Sequence, residues 1–155
     1  MIILGIDPGT ATTGYAVIKH IKTQEYEILD FGTIQTPKSL SDSERLLMLQ
    51  LDLAKIIKKF KPARAGVEKL YFETNAKTAM SVSQARGVVL LTLEKNKIPL
   101  QEFTPLQVKS AICGYGKADK KQVQYMVKQT FKLKKIPKPD DAADALAIAL
   151  CVQTK

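Results

Sequence analysis

This sequence predicts an α/β fold, a five-stranded mixed sheet flanked by helices, and three observations carry that reading. Ile2-Ile3-Leu4-Gly5-Ile6 is a short, mostly β-branched apolar run that breaks at Asp7-Pro8-Gly9, as a buried strand with a carboxylate at its end does. A short link follows it, suited to an antiparallel hairpin, whereas a strand–helix–strand segment further on suits a parallel pairing, so the sheet is mixed. The 155 residues, 45% hydrophobic and 25% charged, fit a single domain over 1–155 with a real core.

The elements follow in order. Thr13–Lys19 predicts the second strand, with Tyr15, Val17 and Lys19 on one face. Tyr26–Thr36 predicts the third, with Gly32 as a candidate bulge. Ser41 and Glu44 are spaced as a capping box and open a helix to about Phe60. Its apolar stripe is Leu46, Leu49, Leu53, Ile56, Ile57 and Phe60, and Lys61-Pro62 stops it. Arg64–Glu68 is the fourth strand. Glu68 closes it as Asp7 closes the first, so parallel pairing brings both carboxylates to one sheet edge.

Thr74–Lys95 is a helix with small residues at Ala76, Ala79, Ser83, Ala85 and Gly87, then apolar all round from Val88 to Leu91. That pattern argues burial on more than one side, either deep in the core or against a second subunit. Ile98–Phe103 is the fifth strand. Thr104-Pro105 opens a helix that ends near Cys113-Gly114. After a loop, Asp119 to about Lys132 is helical, with Val123, Met126, Val127 and Phe131 inward. Ile136-Pro-Lys-Pro139 is a stiff connector to a last helix that starts at Asp140 and runs to Cys151.

The net charge of +9 at pH 7 favours a polyanionic partner. The charge is uneven: Lys117 to Lys138 holds eight lysines and one acidic residue, Asp119. So one-sided a run points to phosphate contact over a merely solvated face. Cys113 and Cys151 lack metal-like spacing and fit free thiols in a reducing cytoplasm. The N-terminal apolar run is too short for a membrane span or signal peptide, so no membrane partner is expected.

Asp141 and Asp144 are three apart and share a helix face at its first turns. Asp140 suits an N-cap, and early carboxylates are favoured by the helix dipole in any case. Asp144 lies deeper, before an apolar run, and needs a cation or a donor. For Asp7 the plain alternative is a turn organiser with Pro8-Gly9. Taken with Glu68, these carboxylates converge in principle. Oxygen-only ligands select Mg²⁺ or Mn²⁺, and two such ions about 4 Å apart clamp the attacking and leaving oxygens of a phosphodiester. Chemistry and charge together point to a metal-dependent nuclease.

Gly5-Ile-Asp-Pro-Gly-Thr10, Gly66-Val-Glu68, Ser83-Gln-Ala-Arg-Gly87, Gln122-Val-Gln124 and Asp141-Ala-Ala-Asp-Ala-Leu-Ala-Ile148 resemble, in order, the motifs of RuvC, the bacterial Holliday-junction resolvase family. The resemblance implies an RNase H-like fold, a homodimer, and paired symmetric nicks across four-way junction DNA during recombination and repair, alongside the branch-migration complex RuvAB. It implies that Asp7, Glu68, Asp141 and Asp144 are catalytic and hold two Mg²⁺ ions, with Mn²⁺ as a substitute. Asp140, an added acid before the motif, is the alternative to Asp141. The family's basic surface matches Lys109 and Lys120, and Lys117 and Lys121 are further candidate DNA contacts. The family's junction-probing aromatic matches Tyr71, for which plain packing is the alternative. The small-residue stretch of helix from Asn75 to Gly87 matches the family's dimer region.

Three rivals share parts of this pattern. Another RNase H-like nuclease would carry the same four acids and differ in substrate. A binding module with a degenerate site is disfavoured because all four acids are present. Actin-like and sugar-kinase folds also read Asp-x-Gly-Thr after a strand, but they need two lobes, and 155 residues hold barely one.

Overall fold

Alternation along β1 (Ile2–Asp7) sorts the molecule into layers. Ile3 joins one buried cluster, whereas Leu4 and Ile6 join the other, so successive side chains serve opposite faces of the sheet. The computed structural model describes residues 1–23, 25–69 and 76–153. β1, β2 (Thr12–Lys22), β3 (Glu25–Gln35), β4 (Arg64–Glu68) and β5 (Leu100–Phe103) form one sheet in the order β3-β2-β1-β4-β5. β1 runs antiparallel to β2 and parallel to β4, and β4 runs parallel to β5. The mixed sheet is the expected one.

Helices α1 (Asp42–Phe60) and α2 (Ala76–Lys95) cover the Leu4–Ile6 face. α1 starts where the sequence says. Ser41 Oγ accepts from the Glu44 amide, and the Glu44 carboxylate accepts from the Ser41 amide. It stops at Lys61, which adopts the left-handed conformation with φ 49° ahead of Pro62. Leu49, Leu53 and Ile57 are buried along its inner stripe.

On the opposite face lie α3 (Pro105–Cys113), α4 (Lys120–Thr130) and α5 (Asp140–Cys151). α3 and α4 each begin with a capping box, Thr104 with Gln107 and Asp119 with Gln122. α5 is nearly all alanine and small aliphatic residues, buried from Ala142 to Ala149 except at Asp144. It packs against a trough of glycines. A Cβ at Gly5 would collide with the Ala145 carbonyl, and one at Gly14 with the Asp141 carbonyl. Only glycine permits this approach of helix backbone to strand backbone.

Four expectations need correction. Gly32 is not a bulge: it pairs regularly with Tyr15, whose ring lies where a Gly32 side chain would reach. The register shifts instead between Val17 and Ile18, whose partners are Asp30 and Ile28, leaving Leu29 as the extra residue. On α4, Met126 is 37% exposed and Gln124 is buried. Asp140 does not cap α5: Pro139 holds the N-cap position and Asp140 is the first helical residue. Finally, of the two readings of α2 the deep-core one falls, because α2 is buried within the chain on one side only. Ala85, Val89, Thr92 and Leu93 face the core, while Met80 and Leu91 are 75% and 58% exposed. Among the described residues no helix is long and apolar enough to cross a membrane.

Candidate active site

The sheet register brings the first two acids together. Ile6 pairs with Val67 across parallel β1 and β4, so Asp7 and Glu68 end adjacent strands side by side. By the pleat, both lie on the face that α5 covers. Asp7 pairs with Gly14 of β2, and the Asp141 backbone rests on Gly14. The first turn of α5 therefore starts over the strand end that carries Asp7. Asp144 lies nearly one turn further, on the same helix face as Asp141.

The acids placed in this way feel one another's charge. Burial pushes the Asp7 carboxyl up to about 8, and the charges of Glu68, Asp144 and Asp141 add to the rise. Burial also raises Glu68 to about 7, with Asp144 the next cause. Burial raises Asp144 too, against the pull of Lys120. Crowded carboxylates that resist ionisation at neutral pH are groups short of positive charge.

One cation already stands among them. Lys120 Nζ donates to Asp144 Oδ2 at 2.9 Å and lies 3.6 Å from Asp140 Oδ2. It lowers Asp7, Glu68 and Asp144. Burial is the largest single influence on its own pKa and lowers it, but the bond to Asp144 together with the charges of Asp144, Asp140 and Asp141 outweighs that and raises it. The Glu68 end opens into a cavity of about 260 Å³, lined also by Lys109, Lys120, Val108 and Asp144. Even with this ammonium nearby, Asp7 and Glu68 stay raised well above the usual carboxylate range, so the site suits a more highly charged cation. The donor set, carboxylate oxygen throughout, is that of Mg²⁺ or Mn²⁺. Among the described residues, no three acids yet stand close enough to enclose an ion. Lys120 Nζ holds Asp144 at the edge of this cluster.

A family model for the crossover junction endodeoxyribonuclease RuvC matches residues 3–152. The chain belongs to the RuvC family. The RuvC of Caldicellulosiruptor saccharolyticus is 50% identical over 151 residues, covering 97% of this chain and 91% of that one. The RuvC of Fusobacterium nucleatum is 51% identical over 150 residues, covering 97% and 78%. Among solved structures, Thermus thermophilus RuvC in complex with a Holliday junction substrate superimposes with a TM-score of 0.92. It is 32% identical, and the match covers 97% of this chain and 92% of that one. The fold is therefore the RNase H-like fold of RuvC, as the sequence motifs implied.

Seen on that fold, the expected RuvC residues divide. Asp7, Glu68, Asp141 and Asp144 come together. Asp140 stands at the margin: it lies within reach of Lys120, but its carboxylate takes the Lys138 ammonium at 2.7 Å, which holds it below the usual carboxylate range. Asp141, and not Asp140, adds to the rise of Asp7. Lys109 and Lys120 face the carboxylates, whereas Lys121 lines a second cavity and Lys117 is exposed in the loop before α4. Tyr71 lies outside the described residues. Sequence reasoning missed the Lys120–Asp144 bridge, whose partners are 24 residues apart and carry no local signal. It also missed the glycine trough, although Gly5 and Gly14 inside strands are a sign of close backbone approach.

Proposed function

We propose that this chain, acting as one nuclease domain over 1–155, is a metal-dependent endodeoxyribonuclease that resolves four-way DNA junctions by paired symmetric nicks. The coupling of Asp7 to Glu68, Asp144 and Asp141 carries the proposal. These four are the residues that would hold two divalent ions, Mg²⁺ with Mn²⁺ as a substitute. When bound, such ions activate water and stabilise the departing oxygen of a phosphodiester. The chain does the rest. β1, β4 and α5 hold the carboxylates at fixed spacing on rigid elements. Lys120 and Lys109 neutralise the acids and attract the scissile phosphate. Lys117 and Lys121 extend the basic surface along the strand, and Tyr71 is proposed to stack against an opened base of the junction.

A homodimer fits the outer face of α2, where Met80, Gln84, Gly87 and Leu91 are exposed at helical spacing. A Cβ at Gly87 meets nothing within 4 Å, which leaves room for a second helix to approach closely. An isologous dimer presents two equal sites to a near two-fold junction, as paired nicking demands. RuvAB is the expected working partner, and recombination and repair in the cytoplasm the expected setting. The free thiols Cys113 and Cys151 suit a reducing compartment.

Incubation of the purified protein and Mg²⁺ with a synthetic mobile four-way junction, a fork, a linear duplex and an RNA–DNA hybrid tests the reading. Symmetric nicks on the junction alone are expected. Equal cutting of the hybrid, or of plain duplex, overturns it in favour of another RNase H-like substrate.

A further inference from the structure

Beside the carboxylate site lies a second, larger cavity that the proposed reaction does not use. It measures about 480 Å³, within the range of about 300–1,000 Å³ typical of ligand pockets. It is formed by the loop after α3, the first turns of α4 and the connector before α5. Tyr115, Tyr125, Met126 and Ile136 line it and remain 48%, 53%, 37% and 37% exposed. Aromatic and apolar surface is thus left open in the most lysine-rich stretch of the chain. Lys121 stands on its rim, and Lys117 to Lys138 holds eight lysines against Asp119 alone.

We propose that this cavity receives one unstacked nucleobase of the bound DNA, next to the scissile phosphate; the proposal rests on the nuclease reading above. A tyrosine face stacks on any base, and the lysines around the rim take the flanking phosphates. The rim also carries polar atoms suited to a base edge. The capping box of α4 uses Asp119 Oδ1 and Gln122 Oε1. Asp119 Oδ2 and the Gln122 amide remain as an acceptor and a donor. A protein segment would need to be acidic to sit in this lysine field, whereas a nucleic acid meets the charge and the aromatics together.

Position supports the same ligand. Lys120 reaches Asp144, while the next residues, Lys121 and Gln122, line the cavity. The two sites flank the start of α4, with Lys120 and Val123 lining one and Lys121, Gln122 and Tyr125 the other. A strand held at the carboxylates reaches the cavity within a nucleotide or two. Opening a base there favours DNA already unpaired, as at a junction's exchange point, over intact duplex.

The test uses the full chain with mobile junctions carrying 5-iodouracil at successive positions on either side of the nick. After long-wavelength irradiation, the crosslinked peptide is mapped. A crosslink from one position beside the nick to Tyr115 or Tyr125 is expected. The double variant Tyr115→Ala/Tyr125→Ala should lose it and bind junctions about tenfold more weakly, while Tyr125→Phe keeps both. Crosslinks only to other residues overturn the proposal even if the alanine variant fails to fold. So does a folded double variant that binds as the parent does, which leaves the cavity to an acidic protein segment. A parent chain that cuts junctions while these results fail sinks the cavity alone; one that neither binds nor cuts them sinks the nuclease reading with it.

Discussion

Replacing Asp7 by asparagine should abolish cleavage and at the same time stabilise the metal-free protein. The sign follows from the shift. Asp7 titrates at 3.8 when unfolded and about 8 when folded. The folded chain therefore holds a proton that the unfolded chain releases, and stability falls as pH rises through that window. Near pH 7 the mismatch spans roughly three pH units, which at about 1.4 kcal/mol each gives a ceiling of about 4 kcal/mol. Asparagine keeps the shape and removes the charge. In EDTA near pH 7 the variant should melt higher by up to the order of 10 °C for a chain of this size. The difference should vanish near pH 3, where both states of the parent are protonated, and stop growing above pH 8. Millimolar Mg²⁺ should raise the melting temperature of the parent and leave Asp7→Asn unmoved. The assay is thermal unfolding followed by circular dichroism, with and without Mg²⁺ across pH. A variant no more stable than the parent in EDTA near pH 7 would refute the claim that Asp7 is buried among like charges.

Three further outcomes follow from the same geometry. Lys120→Met removes the cation that lowers Glu68 and Asp7, so the acid limb of the cleavage pH profile should move to higher pH, while Lys120→Arg leaves it in place; an unmoved limb in the methionine variant contradicts the bridge. Gly14→Ala forces a methyl against the Asp141 carbonyl and should cost about 1–3 kcal/mol in denaturant unfolding, with cleavage lost before junction binding. Leu91→Glu puts a charge on the open face of α2 and should yield a monomer by analytical ultracentrifugation that nicks junctions singly; a dimer with paired nicks would mean that another face pairs.

Much of this was legible because the signals are local. β1 announces itself by a β-branched run and a break, and α1 by Ser41 and Glu44 at capping-box spacing. The parallel step from β1 to β4 follows from the helix between them, and with it the adjacency of Asp7 and Glu68. What was not legible depends on neighbours far along the chain. Gly32 reads as a bulge until the Tyr15 ring is seen over it, and the true bulge at Leu29 carries no glycine. The apolar run Val88–Leu91 reads as buried all round, since composition cannot say that Leu91 faces outward from a single chain. The Lys120–Asp144 bridge joins two helices that only the tertiary fold brings together, so the expected DNA contact Lys120 also stands as a counter-ion to the acids.

Manganese binding is the most direct measure of whether four scattered acids form one ion site. Free Mn²⁺ is followed by its electron paramagnetic resonance signal as protein is added near pH 8, in the absence of DNA. The parent chain and Asp140→Asn should both remove the free-ion signal, whereas Asp7→Asn, Glu68→Gln, Asp141→Asn and Asp144→Asn should each bind at least tenfold more weakly, about the loss expected when a metal ligand is removed. Equal binding by the parent and by Asp7→Asn or Asp144→Asn would contradict a shared site.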